Sequence, residues 1–398
     1  MNNHTQTITS LEMRGINRTA VLELIRREGV ISRTEIARRL QVSVPTVLRI
    51  LDELTADNLV CYTGEKEWSG GRRRELVELK KADNLTIGVD LGGTKFYGAV
   101  ADLGGNILFE DSIYQHGTRG EASYQLLVKL IKNFLSQVNG QGSARIRGIG
   151  VGAPGINSLE GVIKNAPSLD WEDFPLADRL KQDFGLPVVV DNDVNLAALG
   201  ELWFGEGQQV EDFALINIGT GLGAGLVLDG ALYRGAHQSA GEIGYMMPGR
   251  EALERDYPGF GAMESLTAGF GIAELARQKL KGFLSPDELM NLSAVDVFEA
   301  YRSGEEWSLD IVTTTVDYLS IVIINLIAVF DPQMIILGGG VSRSADILLP
   351  RIMQRIQGKI PIIPQLVASK LGLRGAALGA VASLLYQTSE SYIVRKLA

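Results

Sequence analysis

The sequence predicts an α/β protein with two parts: a small N-terminal domain of three helices and a hairpin, and a larger body of two related lobes. Three observations predict this fold class. Apolar residues recur at helical spacing through residues 16–54, and two short strand-like runs follow. A strand, a glycine-rich turn and a second strand occur twice, about 128 residues apart. A third glycine run follows another apolar strand, as expected where a ligand approaches strand ends.

Composition and charge limit the classes of function. The 398 residues allow two to three domains, and the single cysteine, Cys61, excludes an internal disulfide and a multi-cysteine metal site. Residues 1–80 carry a net charge of +2 and the remainder −11, so nucleic-acid contacts are expected in the first 80 residues. The N-terminus is polar, and the apolar run from Tyr318 to Phe330 is too short for a membrane span. A cytoplasmic protein without a membrane partner is therefore predicted.

The first 60 residues have the pattern of a helix-turn-helix. Ile16 to Ile25 carry apolar residues at helical spacing, and Ser32 and Glu35 form a capping box that opens a second, shorter helix. A third helix follows, with one apolar face and one face directed outward. An outward face in this position meets DNA bases and phosphates in helix-turn-helix proteins. The residues predicted to bind DNA there are Ser43, which is also the predicted N-cap, Thr46 and Arg49.

A basic hairpin follows the third helix. Leu59–Tyr62 and Leu76–Leu79 alternate like strands, and Thr63 to Glu75 between them form a predicted glycine- and arginine-rich tip. Arginines on such a wing are attracted to the DNA backbone and to a narrow minor groove. The wing residues predicted to bind DNA are Arg72 and Arg73. The alternative is a three-helix module that binds protein, but helices, turn and basic wing in this order favour a winged helix-turn-helix over residues 1–80.

Glycine-rich turns at strand ends predict phosphate-binding loops in the body. Glycines let backbone N–H groups approach phosphate oxygens, and a threonine adds a hydroxyl. Asp90, at the end of the strand that starts at Leu85, is placed to hold a water or Mg²⁺ on the phosphates. A second strand, Phe213 to Ile218, leads into a glycine turn over residues 219–225. The residues predicted to contact nucleotide or phosphate are Asp90, Gly92, Gly93, Thr94, Gly219, Thr220, Gly221, Gly338 and Gly339.

The repeat of this layout predicts a duplicated lobe with a ligand cleft between the two copies. The first lobe is expected over residues 81–195 and the second over residues 196–398. The last helix, roughly Ala376 to Tyr386, is expected to pack back on the first lobe.

Four motifs resemble the ROK family of repressors and sugar kinases. They start at Asp90 (DLGGTK), Gly152 (GAPG), Asp191 (DNDVN) and Gly241 (GEIG), and the resemblance runs over essentially the whole chain. It includes the winged helix of the repressor branch, whose members respond to sugars such as xylose or N-acetylglucosamine. The resemblance implies an actin-like (ribonuclease H-like), two-lobed sugar-kinase fold.

The resemblance also implies roles for acidic residues. Asn192 and Asp193 would contact sugar hydroxyls, with Asp193 as the general base in a kinase, and Glu242 and Glu264 would accept hydrogen bonds from the sugar. A carboxylate at the end of a strand can take a proton from an attacking hydroxyl, which agrees with this role for Asp193. The alternative for Asp193 is that it caps the helix that follows.

Three departures from the family pattern change the expected ligand chemistry. The family's zinc is held by a histidine and three cysteines, and here Tyr245 replaces the histidine while Arg255, Tyr257 and Ala262 occupy the cysteine positions. No zinc or other metal site is predicted from these side chains. Because the family histidine also helps to hold the sugar, Tyr245 alters a sugar contact. Ser168 stands where a sugar-contacting asparagine is common, so it belongs to the predicted sugar site as an altered contact.

Two functions from different classes follow from these features. The first is a transcriptional repressor, a homodimer or dimer of dimers on a palindromic operator, that senses a small carbohydrate in the cleft. The second is an ATP-dependent sugar kinase with a DNA-binding appendage, which would use ATP and Mg²⁺ with Asp193 as base. A scaffold that binds another protein is a third possibility, and only the acidic surface favours it. The sequence names neither the sugar nor the operator.

Overall fold

Three helices and a small sheet form the N-terminal domain of this computed structural model, which describes residues 10–69, 72–138, 145–158, 160–257 and 261–387. The sheet has the strand order β1-β3-β2. The elements of this domain are α1 Ser10–Glu28, β1 Ile31–Ser32, α2 Arg33–Leu40, α3 Val44–Ala56, β2 Val60–Ser69 and β3 Arg72–Leu79.

Local capping sets the helix boundaries in this domain. The side chain of Ser43 accepts a hydrogen bond from the N–H of Thr46, as predicted for the N-cap of α3. Ser32 caps α2 through the N–H of Glu35, but the Glu35 carboxylate is bound by Arg38 and Arg39, so only half of the predicted capping box forms. The apolar faces meet in one core formed by Val21, Ile25, Ile36, Val47, Ile50, Leu51 and Leu54.

The wing differs from its prediction. Most of the segment from Thr63 to Glu75, expected as an irregular tip, continues strands β2 and β3, with an irregularity in the pairing between Tyr62 and Lys66. A bulge of this kind lets two strands stay paired over a length that simple alternation does not reveal. Gly70 and Gly71 lie outside the described residues, as do the side chains of Arg72 and Arg73.

The first lobe is a five-stranded sheet with helices packed against it. Its strand order is β11-β7-β4-β5-β6, with β4, β7 and β11 parallel and β5 and β6 antiparallel to their neighbours. A small sheet of order β10-β9-β8 contacts the large sheet through β8 and β11. The elements are β4 Asn84–Leu91, β5 Lys95–Asp102, β6 Ile107–Tyr114, α4 Glu121–Val138, β7 Arg145–Ala153, β8 Ile156–Asn157, β9 Ile163–Ala166, β10 Trp171–Phe174, α5 Leu176–Phe184, β11 Val188–Asn192 and α6 Asp193–Phe204.

The second lobe repeats this topology. Its sheet has the order β14-β13-β12-β15-β16. The antiparallel strands β12, β13 and β14 correspond to β4, β5 and β6 of the first lobe. Strands β15 and β16, which run parallel to β12, correspond to β7 and β11. The strands are β12 Phe213–Ile218, β13 Leu222–Leu228, β14 Ala231–Tyr233, β15 Met334–Gly338 and β16 Gln365–Ala368. The glycine turn expected over residues 219–225 is shorter than predicted, because β13 begins at Leu222.

Seven helices follow α6 in the described residues; six of them belong to the second lobe and the last returns to the first sheet. They are α7 Glu264–Thr267, α8 Gly269–Leu280, α9 Pro286–Asn291, α10 Ala294–Arg302, α11 Glu306–Phe330, α12 Ala345–Ile356 and α13 Arg374–Gln387, with short 3₁₀ turns at Glu206–Gln209, Ile243–Tyr245, Arg250–Glu254 and Gly340–Ser344. The apolar run that starts at Tyr318 is part of the 25-residue α11, which is longer than predicted and long and apolar enough to cross a membrane. More than half of its most apolar stretch, 56%, is buried in the core of this lobe, as in the core helix of a globular domain.

Helices α6 and α13 cross at the centre of the body, where their backbones nearly touch. A Cβ atom on Gly379 would lie 1.6 Å from the carbonyl oxygen of Leu196, and one on Gly200 would lie 2.2 Å from that of Gly375. Only glycine allows this approach. Helix α13 also packs on β4, β5 and β7 of the first sheet, and α6 packs on β12 and β13 of the second. The pair therefore ties the two lobes together.

Candidate functional site

Acidic side chains meet where parallel strands of the first sheet end. The pairing register aligns Asp90 of β4 with Gly152 of β7, and Gly152 with Asp191 of β11. A Cβ atom on Gly152 would lie 3.1 Å from the Cα of Asp193, so the glycine leaves room for the start of α6 to come back over the strand end. Burial and the neighbouring Asp193 carboxylate raise the pKa of Asp90, although Lys95 opposes the shift. The Oδ1 atom of Asp90 is buried and has no hydrogen-bond partner among the described residues.

Asn192, not Asp193, caps helix α6. The Asn192 Oδ1 atom accepts hydrogen bonds from the N–H groups of Val194 at 2.9 Å and Asn195 at 3.1 Å, and its Nδ2 donates to the carbonyl of Gly155. The alternative role of Asp193 as the cap is therefore wrong, and its carboxylate is left for other contacts. Burial raises the pKa of Asp193, the adjacent N–H groups at the helix start lower it, and Glu242 raises it further.

Two glutamates from the second lobe extend this acidic cluster. Glu264 is held by the backbone, because its Oε1 accepts from the N–H of Leu222 at 2.8 Å and its Oε2 from that of Gly261 at 2.9 Å. Burial and the charge of Glu264 raise the pKa of Glu242. Burial and the same two carboxylates raise the pKa of Tyr245, which is nonetheless 64% exposed in its 3₁₀ turn. The charge of Asp193 acts on Asp90, that of Glu242 acts on Asp193, and that of Glu264 acts on Glu242. These four carboxylates therefore form one acidic cleft between the lobes.

The predicted phosphate-binding glycines lie in loops at the mouth of the same cleft. A Cβ atom on Gly93, in the β4–β5 turn, would lie 3.5 Å from the Thr220 hydroxyl in the β12–β13 turn, so these two loops face each other across the lobes. Thr94 is exposed, and Gln115, which the sequence reasoning missed, donates a hydrogen bond to the carbonyl of Gly92 at 3.0 Å.

The third glycine run adjoins the second of these loops. Gly338 pairs with Asn217 near the end of β12, and Gly339, with a positive φ of 79°, passes directly over Ile218. Gly219 and Gly221 flank Thr220 in the turn that follows β12. The structure thus brings all three predicted glycine runs to the ends of β4, β12 and β15. Their contact with a nucleotide stays a prediction.

An ion pair between the lobes borders the acidic cluster and was also missed. The Asp191 carboxylate accepts a hydrogen bond from the N–H of Asn192 at 2.8 Å and pairs with Arg234, which follows β14 of the second lobe. Sequence alone gives no sign of this pair, although Asp191 belongs to a quoted motif. Ser168 is exposed in the turn between β9 and β10, and its contact with a sugar stays a prediction.

The positions that the family resemblance assigns to zinc ligands carry other side chains. Arg255 is exposed and Ala262 is buried, and neither offers a thiolate or imidazole ligand. Within the described parts of the chain, no three His, Cys, Asp or Glu side chains are grouped to hold a metal ion. The absence of zinc itself remains a prediction.

The predicted recognition helix presents a polar, partly exposed end. Ser43 and Arg49 are exposed, and the Ser43 and Thr46 hydroxyls lie 2.8 Å apart at the start of α3. No carboxylate of the described residues forms an ion pair with Arg49, and its contact with DNA stays a prediction. Other arginines that contribute to the positive charge of this domain are neutralised locally: Arg14 by Glu53, Arg18 by Asp57, Arg26 by Glu23, Arg33 by Glu75, and Arg38 and Arg39 by Glu35.

A contact joins the N-terminal domain to the helix that starts at the acidic cleft. The guanidinium of Arg26 in α1 donates to the carbonyl oxygen of Trp203 at 2.9 Å and lies 4.3 Å from the centre of its ring. Trp203 is buried near the end of α6, whose first residue is Asp193. Helix α6 therefore spans from the acidic cleft to the N-terminal domain, a length of about 18 Å for 12 residues.

The chain belongs to the ROK family, since the sequence model of that family matches residues 86–387. A model of winged helix-turn-helix DNA-binding domains matches residues 16–60. These matches confirm the family and the fold class predicted from the sequence.

Individual relatives include both repressors and kinases. The chain is 29% identical to the xylose repressor of Caldicellulosiruptor bescii over 396 residues, which cover 97% of this chain and 98% of that protein. It is 35% identical to the glucokinase of Halalkalibacterium halodurans over 287 residues, covering 69% of this chain and 86% of that protein. Among solved structures, a ROK family transcriptional regulator described as a homologue of the E. coli MLC protein superposes with a TM-score of 0.79. It is 26% identical, and the match covers 95% of this chain and 99% of that one.

Proposed function

We propose that this protein is a sugar-responsive transcriptional repressor that works in the cytoplasm. It binds operator DNA through the winged helix-turn-helix and a carbohydrate in the acidic cleft. The observation that carries this proposal is helix α6, which begins at Asp193 in the cleft and contacts Arg26 of the DNA-binding domain through Trp203. The similarity to a repressor covers 97% of the chain, whereas that to a glucokinase covers 69%, which supports the same choice.

The cleft suits a neutral ligand rich in hydroxyl groups. A buried carboxylate beside another carboxylate is stabilised in its charged form by hydrogen-bond donors. Sugar hydroxyls supply such donors without adding positive charge. Burial raises the pKa values of Asp193 and Glu242, and neighbouring carboxylates raise them further, while Glu264 is fixed by two backbone N–H groups. Xylose is the first candidate, because a full-length relative is a xylose repressor. Tyr245 and Ser168 then adapt the pocket to its particular sugar.

Regulation follows from the position of α6 between the two sites. A sugar that closes the cleft draws Asp193 and Glu242 together and shifts the start of α6. Because α6 is a rigid element, its far end moves against Arg26 and changes how the winged helices are presented. A sugar changes DNA affinity only by its difference in affinity between the two arrangements. We propose a dimer on a palindromic operator, because two winged helices held at a fixed spacing make binding sensitive to their orientation.

Fluorescence anisotropy with the full-length protein tests this function. The probe is labelled DNA from upstream of the protein's own gene, at one fixed salt concentration, titrated with and without xylose, glucose and N-acetylglucosamine. We expect tight binding that one sugar weakens at least tenfold. Asp193→Asn should keep the DNA affinity and lose the sugar response. If the DNA is bound no more tightly than a scrambled sequence, the repressor function is wrong.

The second candidate function is an ATP-dependent sugar kinase, favoured by the buried Oδ1 of Asp90, which has no partner among the described residues, and by the two glycine loops that face each other across the lobes. In that function Asp193 takes the proton from the attacking hydroxyl, and Asp90 would hold Mg²⁺, which supplies charge neutralisation of the phosphates. Sugar-dependent ATP turnover that Asp193→Asn abolishes would support it. Turnover equal in the variant and the wild type, or none across the sugar panel, would contradict it.

A further inference from the structure

A cavity of about 280 Å³ lies between the DNA-binding domain and the body, away from the acidic cleft. Arg18 of α1 and Asp57 after α3 line it from the N-terminal domain, and Thr86 of β4 and Arg147 of β7 line it from the first lobe. At roughly 30 Å³ for each water, the cavity has room for about nine, which is far more than one bridging molecule. It is close to the lower limit of about 300 Å³ for pockets that hold drug-sized ligands, so it suits a small metabolite.

The charge around the cavity favours an anion. Two guanidinium groups face one carboxylate there, and that carboxylate, on Asp57, is already paired with Arg18 at 2.8 Å. Arg147 donates to the side chain of Asn84 and to the backbone carbonyl of Asp57, both neutral acceptors. Burial and the nearby Arg145 lower the pKa of Arg147, and Asp57, which opposes this shift, is the carboxylate already paired with Arg18, so the two guanidinium groups share one counterion. An anionic group in the cavity would supply a second.

The other walls provide one hydrogen-bonding group and an apolar surface. The Thr86 side chain is 1% exposed, and its hydroxyl has no partner among the described residues although it lines the cavity. A buried hydroxyl without a partner costs free energy that a bound acceptor would recover. Leu59, Leu103 and Leu384 complete the lining, and each is almost fully buried. A strongly hydrated anion leaves these leucine side chains without contact, whereas an apolar body packs against them.

We propose that this cavity is a second ligand site, which binds a small carboxylate with an apolar body. The carboxylate lies between Arg147 and the Thr86 hydroxyl, and the apolar body packs on the leucines. Because the lining comes from both the DNA-binding domain and the body, the ligand fixes how the two are oriented. Its effect on DNA affinity rests on the proposed repressor function, whereas its binding does not.

Isothermal titration calorimetry on the full-length protein tests the site. The probes are benzoate and 3-methylbutanoate, with uncharged benzamide and inorganic phosphate for comparison. We expect one carboxylate per chain to bind, at least tenfold more tightly than benzamide or phosphate. Thr86→Val should weaken carboxylate binding about tenfold, and Leu384→Phe, which fills the cavity, should abolish it.

The matched control is Thr315→Val. Thr315 in α11 is a second buried threonine whose hydroxyl has no partner among the described residues, and it does not line the cavity. This variant should bind carboxylate like the wild type, and both threonine variants should keep sugar binding in the cleft. The proposal is overturned if neither carboxylate binds at 10 mM, if phosphate binds more tightly than both, or if Thr86→Val and Leu384→Phe bind like the wild type.

Discussion

The contact between Arg26 and Trp203 should control how strongly sugar and DNA binding are coupled. Arg26→Met keeps the apolar part of the side chain and removes the guanidinium. The lost hydrogen bond, from a charged donor to the Trp203 carbonyl, is worth about 1.5–3 kcal/mol. The lost cation–π contact, 4.3 Å from the ring centre, adds about 0.5–2 kcal/mol. Since the Arg26 side chain is only 11% exposed, solvent screens these interactions weakly, and the variant removes about 2–5 kcal/mol from the contact.

The assay is the ratio of DNA dissociation constants with and without saturating sugar, measured by anisotropy. Sugar and DNA sites in one protein are typically coupled by about 1–3 kcal/mol. The free energy that Arg26→Met removes from the contact is as large as this coupling energy. We therefore expect the ratio of DNA dissociation constants in the variant to fall at least tenfold, towards one. Arg27→Met is the matched control, because Arg27 is exposed and its loss removes the same charge from the same turn. It is expected to keep the wild-type ratio. A wild-type ratio in Arg26→Met would refute signal transfer through this contact.

Three further predictions concern the cleft, the helix crossing and the DNA surface. Asp193→Asn should raise the melting temperature at pH 8 by about 2–4 °C. The pKa of Asp193 is raised in the folded state, so the folded state binds a proton more tightly than the unfolded chain. The wild type therefore loses stability as the pH rises above the unfolded pKa of about 4. Gly379→Ala should lower the free energy of unfolding by about 3 kcal/mol or more in a denaturant titration, since its Cβ would lie 1.6 Å from the Leu196 carbonyl. Arg49→Gln should weaken operator binding about tenfold and reduce the slope of log affinity against log salt by about 1.

Each of these has a control and an outcome that contradicts it. If the melting temperature depends on pH equally in Asp193→Asn and the wild type, ionisation of the Asp193 carboxylate does not destabilise the folded state, and the prediction is wrong. Gly340→Ala should leave stability unchanged, because no atom lies within 4 Å of its added Cβ, and an equal loss in both glycine variants would contradict the close helix contact. Arg38→Gln should change the salt slope less than Arg49→Gln, since Glu35 already pairs with Arg38.

Local patterns in the sequence predicted the three N-terminal helices and several of the strands that end at the cleft. The N-cap of α3 at Ser43 and the strand that ends at Asp90 depend on short-range chemistry, such as a capping hydroxyl and an apolar run, which is visible in a few residues. The repeated strand-turn-strand layout predicted the duplicated topology, because both copies place glycines at the same strand end. Errors arose where two local solutions are nearly equal. Asn192 and Asp193 are both good N-caps, and the sequence does not decide which of them the helix uses.

The rest of the site depends on residues that are far apart in the chain. Arg26 and Trp203 are 177 positions apart, and Asp191 and Arg234 are 43 apart, so neither pairing leaves a local pattern. The family resemblance predicts Glu264 in the sugar site, and the structure adds that two backbone N–H groups hold its carboxylate. Such contacts follow from how the lobes pack.

The measurement that tests the account most directly is the sugar affinity of the protein alone and of the protein saturated with operator DNA. If the two sites are coupled through the chain, operator DNA must weaken sugar binding by the same factor by which the sugar weakens DNA binding. In the wild type, titration calorimetry should therefore show that operator DNA weakens sugar binding at least tenfold, the same factor by which the sugar weakens DNA binding. In Arg26→Met, operator DNA should change the sugar affinity by a factor near one. A sugar affinity that operator DNA leaves unchanged in the wild type would contradict the account.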